Sequence, residues 1–221
     1  MSPENTETAK TLKNNKPKME TQYNPEGFIP KHGGYANLKT YQKAEIIYDG
    51  TYYFCHKYFK KYDRTIDQMV QAARSGKQNI VEGSMISGTS KETEIKLTNV
   101  ARASLEELIT DYKDFLRTRN LKIWGKTHPY YPHLTTLHKT ENANYETYRK
   151  GIESPDPEVS ANVLISLINT TSFLLAQQIK TLEKEFLQEG GMRERMSQAR
   201  INVRKKQSKP YPTSPNPPFN P

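Results

Sequence analysis

Residues 89–119, which read TSKETEIKLTNVARASLEELITDYKDFLRTR, decide the fold class of this chain. The opening Thr89-Ser-Lys-Glu92 matches a capping box, in which a hydroxyl and a carboxylate satisfy free backbone N–H groups at a helix start. Apolar or small residues then recur every three or four positions, which is the spacing of one buried helix face. This inward stripe consists of Ile95, Thr98, Ala101, Leu105, Leu108, Tyr112 and Phe115. The pattern predicts a helix over 90–119, about 45 Å long.

Two helices are predicted before this segment. The first covers about 38–64 and carries an inward stripe of Tyr41, Ala44, Tyr48, Thr51, Cys55, Tyr58 and Tyr62, widened by neighbours that include Tyr52. Its outer face is predicted to carry Lys39, Lys43, Lys57, Lys60 and Arg64, with Tyr53 among them. The second covers about 65–85 and buries Ile66, Met69, Ala73 and Ile80. Gly83 and Gly88 are expected to bracket the turn that follows, because glycine favours a left-handed helix stop.

The chain after the third helix combines an irregular stretch with a last long helix. Residues 120–152 are interrupted by Trp124-Gly125, His128-Pro129 and Tyr131-Pro132, and only about 142–152 favours a helix. Asp156-Pro157-Glu158 is a typical helix start, and Gly190-Gly191 ends that helix. The sequence therefore predicts an all-α, up-and-down four-helix bundle, with a long connection before the last helix and a short basic C-terminal helix.

The two ends of the chain are polar or proline-rich. We expect four segments: a disordered polar N-terminal segment (1–37), the bundle (38–191), a basic helical suffix (192–206) and a disordered Pro-rich tail (207–221). The formal net charge is +9, and residues 192–221 carry seven basic side chains against one acidic. Such an excess favours phosphate-bearing or acidic partners, although it also simply confers solubility.

The sequence also bears on compartment. No apolar signal segment begins the chain, and no window approaches the ~20 apolar residues of a membrane span. Cys55 is the single cysteine, so no intrachain disulfide can form. We therefore expect a cytoplasmic protein without membrane contact.

A search for catalytic constellations gives no positive result. His128, His133 and His138 are spaced by five, which does not place them on one helical face, and the sequence holds no Glu-x-x-His pair for a di-metal bundle. No phosphate-binding glycine loop or serine elbow is present. None of the histidines has the upstream arginine of HEPN-type helical RNases. Cys55 lies on an inward stripe and is read as a small apolar residue. We expect no catalysis, metal or cofactor.

Two stretches of the chain carry a resemblance to a known family. Gln68-Met-Val-Gln-Ala-Ala-Arg-Ser75 with Asn79-Ile-Val-Glu-Gly83, followed by Ala101-Arg-Ala-Ser-Leu-Glu-Glu-Leu108, resembles the helix signatures of the bacterial four-helix-bundle family. This family includes the 23S rRNA intervening-sequence proteins and the accessory variability determinants of retroelements. The segment from Ala161 to Met196 is similar to the four-helix-bundle suffix-domain subgroup. The signature residues are Ser75, Asn79, Ile80, Glu82, Gly83, Ala101, Arg102, Ser104, Leu105, Glu107 and Leu108.

The resemblance implies an up-and-down bundle that assembles into a ring-like homo-oligomer, a pentamer in characterised relatives. In the retroelement branch it also implies a basic surface that engages nucleic acid and a reverse transcriptase. Two departures from the family are visible here: Gln71 stands where many relatives have a basic residue, and small members lack both the 120–152 connection and the suffix. The signature residues also admit a structural explanation as caps, turns and an Arg102–Glu106 ion pair.

Two functional hypotheses follow. In the first, the protein is a nucleic-acid-binding accessory factor for RNA or DNA that contacts phosphates through two basic groups, with no base-reading motif. These groups are Lys57, Lys60, Lys61 and Arg64 on the first helix, and Arg193, Arg195, Arg200, Arg204, Lys205 and Lys206 in the suffix. In the second, it is a protein-interaction or assembly module without a nucleic-acid role, which uses its aromatic first helix and Pro-rich tail.

Overall fold

The fold is all-α, as the sequence predicts. The computed structural model describes Ile29 and residues 32–207, and no strand occurs within these residues. A short 3-10 turn, Tyr35–Asn37, precedes seven α-helices: α1 Lys39–Tyr58, α2 Arg64–Ile86, α3 Lys91–Thr118, α4 Tyr131–Lys139, α5 Tyr145–Ile152, α6 Pro157–Glu189 and α7 Met192–Gln207. The predictions of disorder for 1–28, 30–31 and 208–221 lie outside the described residues, and Gln207, predicted to begin the tail, is the last residue of α7. The 3-10 turn lies inside the segment predicted to be disordered, and Gly33 there donates its N–H to the Ser84 carbonyl.

The four long helices pack around one apolar core. Helices α1 and α3 each pack against both α2 and α6, while α5 lies on α1 and α6, and α4 lies on α6. Two glycines allow close helix approach, because a Cβ on Gly50 would lie 2.7 Å from Leu164 Cδ2 and one on Gly76 would lie 2.8 Å from Leu105 Cδ2. The largest fully buried side chains include Tyr112, Tyr148, Phe54, Ile47, Met69, Leu105, Leu108 and Leu164.

The first helix ends earlier than the sequence predicts. Helix α1 ends at Tyr58, because Phe59 takes an extended conformation, and residues 59–63 form a turn. Arg64 therefore belongs to α2, whose N-cap is Asp63, with its carboxylate accepting the Thr65 N–H. The predicted apolar stripe continues without a break to Tyr62. Apolar periodicity alone therefore gives no sign that Asp63 caps a new helix.

The inward and outward faces of α1 also differ from the prediction. Lys43 was predicted on the outer face, but it is buried, and its Nζ donates to the His138 carbonyl. Tyr52 and Tyr62 were predicted to face inward, but they are 51% and 87% exposed, and Tyr53 is half-buried. Helices α4 and α5 cover the side of α1 that carries Lys43 and Tyr53, whereas Tyr62 lies in the turn that follows the end of α1.

Two predicted features at the α2–α3 turn are wrong in detail. Ser90, not Thr89, caps α3 by accepting the Thr93 N–H, while Glu92 pairs with Lys96 across one helical turn. Gly83 lies inside α2 and is buried beside the α3 backbone rather than in a turn. A Cβ there would lie 3.5 Å from the Glu94 carbonyl oxygen, which is an ordinary van der Waals distance, so the α2–α3 packing does not require glycine at this position.

The long connection contains more helix than the sequence predicts. Helix α5 corresponds to the segment expected near 142–152, and Asn144 and Thr147 form its capping box. The sequence does not predict helix α4, because Tyr131-Pro132 reads as a break in the helical pattern. Pro132 instead occupies the first turn of α4, where a missing N–H costs nothing.

The last two helices agree with the sequence. Asp156 caps α6 by accepting the Glu158 N–H, and Gly190 ends it at a φ of 69°. Helix α7 follows as the predicted basic helix. Phe186 is exposed near the end of α6.

Candidate nucleic-acid interface

The first predicted basic group divides into one anchored lysine and three exposed cations. Lys57 Nζ donates to the Tyr53 hydroxyl at 2.8 Å and to the carbonyls of Glu153 and Ser154, both at 3.1 Å. The bond to Tyr53 raises the pKa of the Lys57 ammonium. Because these carbonyls lie just beyond the end of α5, Lys57 acts as a cap for α5 and is held by the fold.

The other three cations lie at the α1–α2 turn. Lys60, Lys61 and Arg64 are exposed, and Lys61 Nζ lies 5.3 Å from the Tyr62 ring centroid. Asp63 between them is engaged as the α2 cap, which lowers the pKa of its carboxyl through the hydrogen bond from Thr65 N–H. This turn therefore presents positive charge, with its one acid already hydrogen-bonded.

Arg119 adds a cation to this end of the protein that the sequence hypothesis did not include. Its guanidinium lies 3.9 Å from the Phe115 ring centroid and 5.3 Å from that of Phe59, which brings the end of α3 beside the α1–α2 turn. Arg119 follows the last stripe residues of α3, where the sequence gives no sign that two rings would hold it.

The loop after α3 is fixed against the start of α6. Trp124 donates from its backbone N to Asn162 Oδ1 at 2.8 Å and from its indole Nε1 to Glu158 Oε1 at 3.0 Å. The Lys122 N–H donates to the other Glu158 oxygen at 2.9 Å. These bonds, that of Lys122 first, lower the pKa of the Glu158 carboxyl. A segment that reads as irregular is therefore held in place, and it presents Lys122 and Lys126 to solvent.

The second predicted basic group lies on α7. Four of its side chains are exposed, whereas Arg195 is half-buried and the Lys206 side chain lies outside the described residues. The only acid on this helix, Glu194, accepts the Gly191 N–H with Oε2 at 2.9 Å. The exposed residues are Arg193, Arg200, Arg204 and Lys205.

The two basic groups lie at opposite ends of the long helices. The contacts of Lys57 with Glu153 and Ser154 place the α1–α2 turn near the start of α6. Helix α7 begins just after the end of α6, which has 33 residues and a length of about 50 Å. The structure therefore does not bring the two groups into one surface of a single chain.

The family-signature residues lie along the α2–α3 contact. Ile80, Gly83, Ala101, Leu105 and Leu108 are buried, whereas Glu82, Arg102 and Glu107 are exposed. Ser75 Oγ and Ser104 Oγ are 2.9 Å apart, and Asn79 Nδ2 donates to the Ser75 carbonyl. No ion pair joins Arg102 to Glu106 in the described chain. Asn79, Glu82 and Gly83 lie within α2 rather than in a turn.

A partly buried polar cluster was also missed by the sequence. His138 Nε2 lies 2.8 Å from Ser166 Oγ, and His138 Nδ1 lies 3.2 Å from the Tyr148 hydroxyl. Burial, followed by the charge of Lys43, lowers the pKa of His138 to about 4. Burial also lowers the pKa of Lys43 and raises that of Tyr148 to about 12. Because these residues come from α1, α4, α5 and α6, the cluster joins the connection to the long helices.

The three histidines spaced by five in the sequence lie apart from one another. His128 lies in the loop before α4, His133 is exposed on α4, and His138 belongs to the buried cluster. Within residues 32–207, no group of three or more His, Cys, Asp or Glu side chains has a metal-binding arrangement. Burial raises the pKa of the Cys55 thiol to about 12, and its Sγ lies 3.8 Å from Met69 Sδ.

A cavity of about 370 Å³ lies between α1 and the turn before α5. Glu45 and Asp49 line it together with Asn142 and Asn144. Burial raises the pKa of Asp49. Two carboxylates without an opposing lysine or arginine in the lining disfavour a phosphate ligand there.

One helical stretch is long and apolar enough to span a membrane, judged by length and composition alone. The sequence predicts no stretch of this kind. It lies within Pro157–Lys205, and 61% of its most apolar window is buried inside the protein. A mostly buried core helix meets the same criteria, which weakens the membrane interpretation.

No protein-family model matches this chain, and no curated protein or solved structure is detectably similar to it. The functional interpretation therefore rests on the residues themselves.

Proposed function

We propose that this protein is a non-catalytic, cytoplasmic nucleic-acid-binding accessory factor, built as an up-and-down four-helix bundle. The pairing of α1 and α3 each with α2 and α6 supports that topology. A homo-oligomer, with the pentamer that the family resemblance implies, is part of the proposal, as is a reverse transcriptase as a candidate protein partner. No metal or cofactor is required for this function.

The basic surface of α7 carries the proposal. Helix α7 presents four exposed cations, while its single acid is engaged with the backbone of Gly191. A helix with this charge contacts phosphate oxygens without reading base sequence, since each cation replaces a condensed counterion. The exposed cations of the α1–α2 turn form a second, separate contact region, and Lys57 is excluded from it because the end of α5 holds its ammonium group.

The test is binding of a labelled 20-base-pair DNA and the matching RNA by the full chain at two salt concentrations. The variant Arg193→Gln/Arg200→Gln/Arg204→Gln removes three cations from α7. We expect affinity to fall for both duplexes, and the slope of log affinity against log salt to weaken by about two to three. The matched control Lys113→Gln/Lys139→Gln/Lys150→Gln removes the same charge from exposed positions on α3, α4 and α5. If the two variants lower affinity and salt slope equally, α7 contributes only to the net charge and is not the phosphate-contacting surface.

A specific observation also favours the second candidate, a protein-interaction module. Apolar side chains at the end of α6 and on α7 are exposed, with Leu187 at 83% and Met196 at 48%. A cluster of this kind suits contact with another protein surface. Light scattering of Leu187→Ser/Met196→Ser tests it: a smaller assembly with unchanged nucleic-acid affinity favours the module. The Pro-rich tail, its other proposed element, lies outside the described residues.

A further inference from the structure

Three aromatic rings form a compact cluster in the loop between α3 and α4, with the His128 and Tyr130 centroids 5.8 Å apart. The Trp124 and His128 rings are nearly parallel, with centroids 4.1 Å apart and planes inclined by 9°. Tyr130 joins them at 5.4 Å from Trp124, with an inclination of 18°. We call Trp124, His128 and Tyr130 the ring cluster.

Hydrogen bonds to α6 hold the ring cluster in place. The hydrogen bonds of Trp124 to Glu158 and Asn162 tie it to the first turns of α6. Asn162 also donates to the Lys122 carbonyl at 2.8 Å, which fixes the chain just before the tryptophan. A ligand that stacks on these rings therefore meets a preformed surface and does not have to order the loop.

The surroundings of the ring cluster are open and positively charged. Tyr130 is 57% exposed, and Lys122 and Lys126 are exposed on the same loop. Glu158, which accepts hydrogen bonds from Lys122 N–H and Trp124 Nε1, has a lowered carboxyl pKa and therefore sets one negative charge against these two lysines. Arg119 lies three residues before Lys122, beside the α1–α2 turn.

We propose that the ring cluster, with Lys122 and Lys126, binds unpaired bases of single-stranded nucleic acid. The exposed Tyr130 ring offers a flat π face to a nucleobase beside the other two rings, and adjacent lysines neutralise the phosphates on either side of it. Bases inside a duplex already stack on their neighbours and do not present their faces. This inference rests on the proposed function and narrows its ligand to strands with unpaired bases at this end of the protein.

The chain supplies its own optical probe and a matched control. Trp124 is the only tryptophan, so all tryptophan emission comes from the ring cluster. A base that stacks on the cluster should quench this emission. Tyr52 is a similarly exposed tyrosine, at 51%, and its ring lies 4.1 Å from that of His56 on α1. It forms a two-ring pair, so Tyr52→Ala controls for the loss of an exposed, ring-stacked tyrosine.

The experiment titrates the full chain with a dT15 oligonucleotide, an abasic strand of equal length and a 15-base-pair duplex. We expect dT15 to quench Trp124 emission, and Tyr130→Ala to weaken dT15 binding about 5- to 150-fold while duplex and abasic affinities stay constant. Tyr130→Phe keeps the ring and should retain dT15 binding, which separates ring stacking from disturbance of α4. Tyr52→Ala should leave all three affinities unchanged.

The failures are distinguishable. If Tyr130→Ala leaves dT15 binding unchanged, or lowers dT15 and duplex binding equally, the base-stacking site is overturned and the α7 proposal stands. If the unaltered chain binds no oligonucleotide, the proposed function itself is overturned. Quenching by a synthetic peptide of residues 207–221, in the absence of quenching by dT15, would overturn the inference and assign the rings to a proline-rich ligand.

Discussion

Lowering the pH from 7 to 4.5 should destabilise this protein through His138. The folded protein holds the pKa of this imidazole at about 4, below its ordinary 6.5, because it is partly buried and lies near Lys43. Between these two values the unfolded chain binds a proton that the folded chain does not. The contribution of neutral His138 is therefore fully present above pH 6.5 and is lost as the pH falls towards 4.

The size of this effect follows from the same two values. Each unit of pKa difference corresponds to about 1.4 kcal/mol. The difference between 6.5 and about 4 therefore limits the loss of unfolding free energy to about 3.4 kcal/mol. His138 is only partly buried, and solvent screens the charge, so we expect about 2 kcal/mol. That is a large fraction of the stability of a typical domain.

The assay is urea unfolding of the unaltered chain and of His138→Gln, followed by helical circular dichroism between pH 7 and 4.5. Glutamine keeps a hydrogen-bonding group near Ser166 but does not titrate. The pKa values of Glu94 and Asp111 are raised by burial, so these groups favour folding as the pH falls and oppose the effect of His138. They are present in both proteins and cancel in the difference. A difference in unfolding free energy that stays constant with pH would refute the reasoning.

Three further predictions concern the interior. Lys43→Met removes the buried charge beside His138 and should raise the imidazole pKa, measured by NMR of the histidine ring; an unchanged pKa would show that burial alone sets it. Tyr112→Phe removes the 3.0 Å hydrogen bond from the Tyr112 hydroxyl to Thr51 Oγ1 and should cost about 1 kcal/mol in thermal or urea unfolding. Adding Thr51→Val should cost less than the sum of the two single changes, and strict additivity would mean that the pair is not coupled. Cys55 should resist a thiol reagent in the folded protein and react fully in urea, since it is buried with a thiol pKa of about 12; rapid labelling in native buffer would contradict its burial.

The helices were predictable where caps and apolar periodicity agree. Asp156-Pro157 and Gly190 mark α6 at both ends, and a basic helix after Gly191 follows from composition. The α1–α2 boundary was not predictable from the stripe, because the aromatic pattern continues through the turn to Tyr62. Local spacing also cannot show that α4 covers Lys43, since His138 lies 95 residues further along the chain.

Of the candidate sites, only their positive charge could be predicted from the sequence. Exposed cations on α7 follow from the density of arginine in residues 192–206. The role of Lys57 was not visible, because its three acceptors lie on α1 and just after α5. The ring cluster had a signal: the only tryptophan stands among Lys122, Lys126 and two more aromatic side chains. In a sequence, however, Trp124-Gly125 and His128-Pro129 read first as interruptions of a helix.

The apolar character of α6 has a consequence for how the chain folds during synthesis. Helices α2 and α3 are joined by a short turn and pack extensively, so they can pair before the ribosome has made α6. Until α6 arrives, the faces that contact Leu164 and Leu175 have no cover. During synthesis, the apolar faces that α6 covers in the folded protein are therefore exposed to solvent until α6 has been made. Truncation or stalling before Pro157 would leave those faces exposed to chaperones and to aggregation.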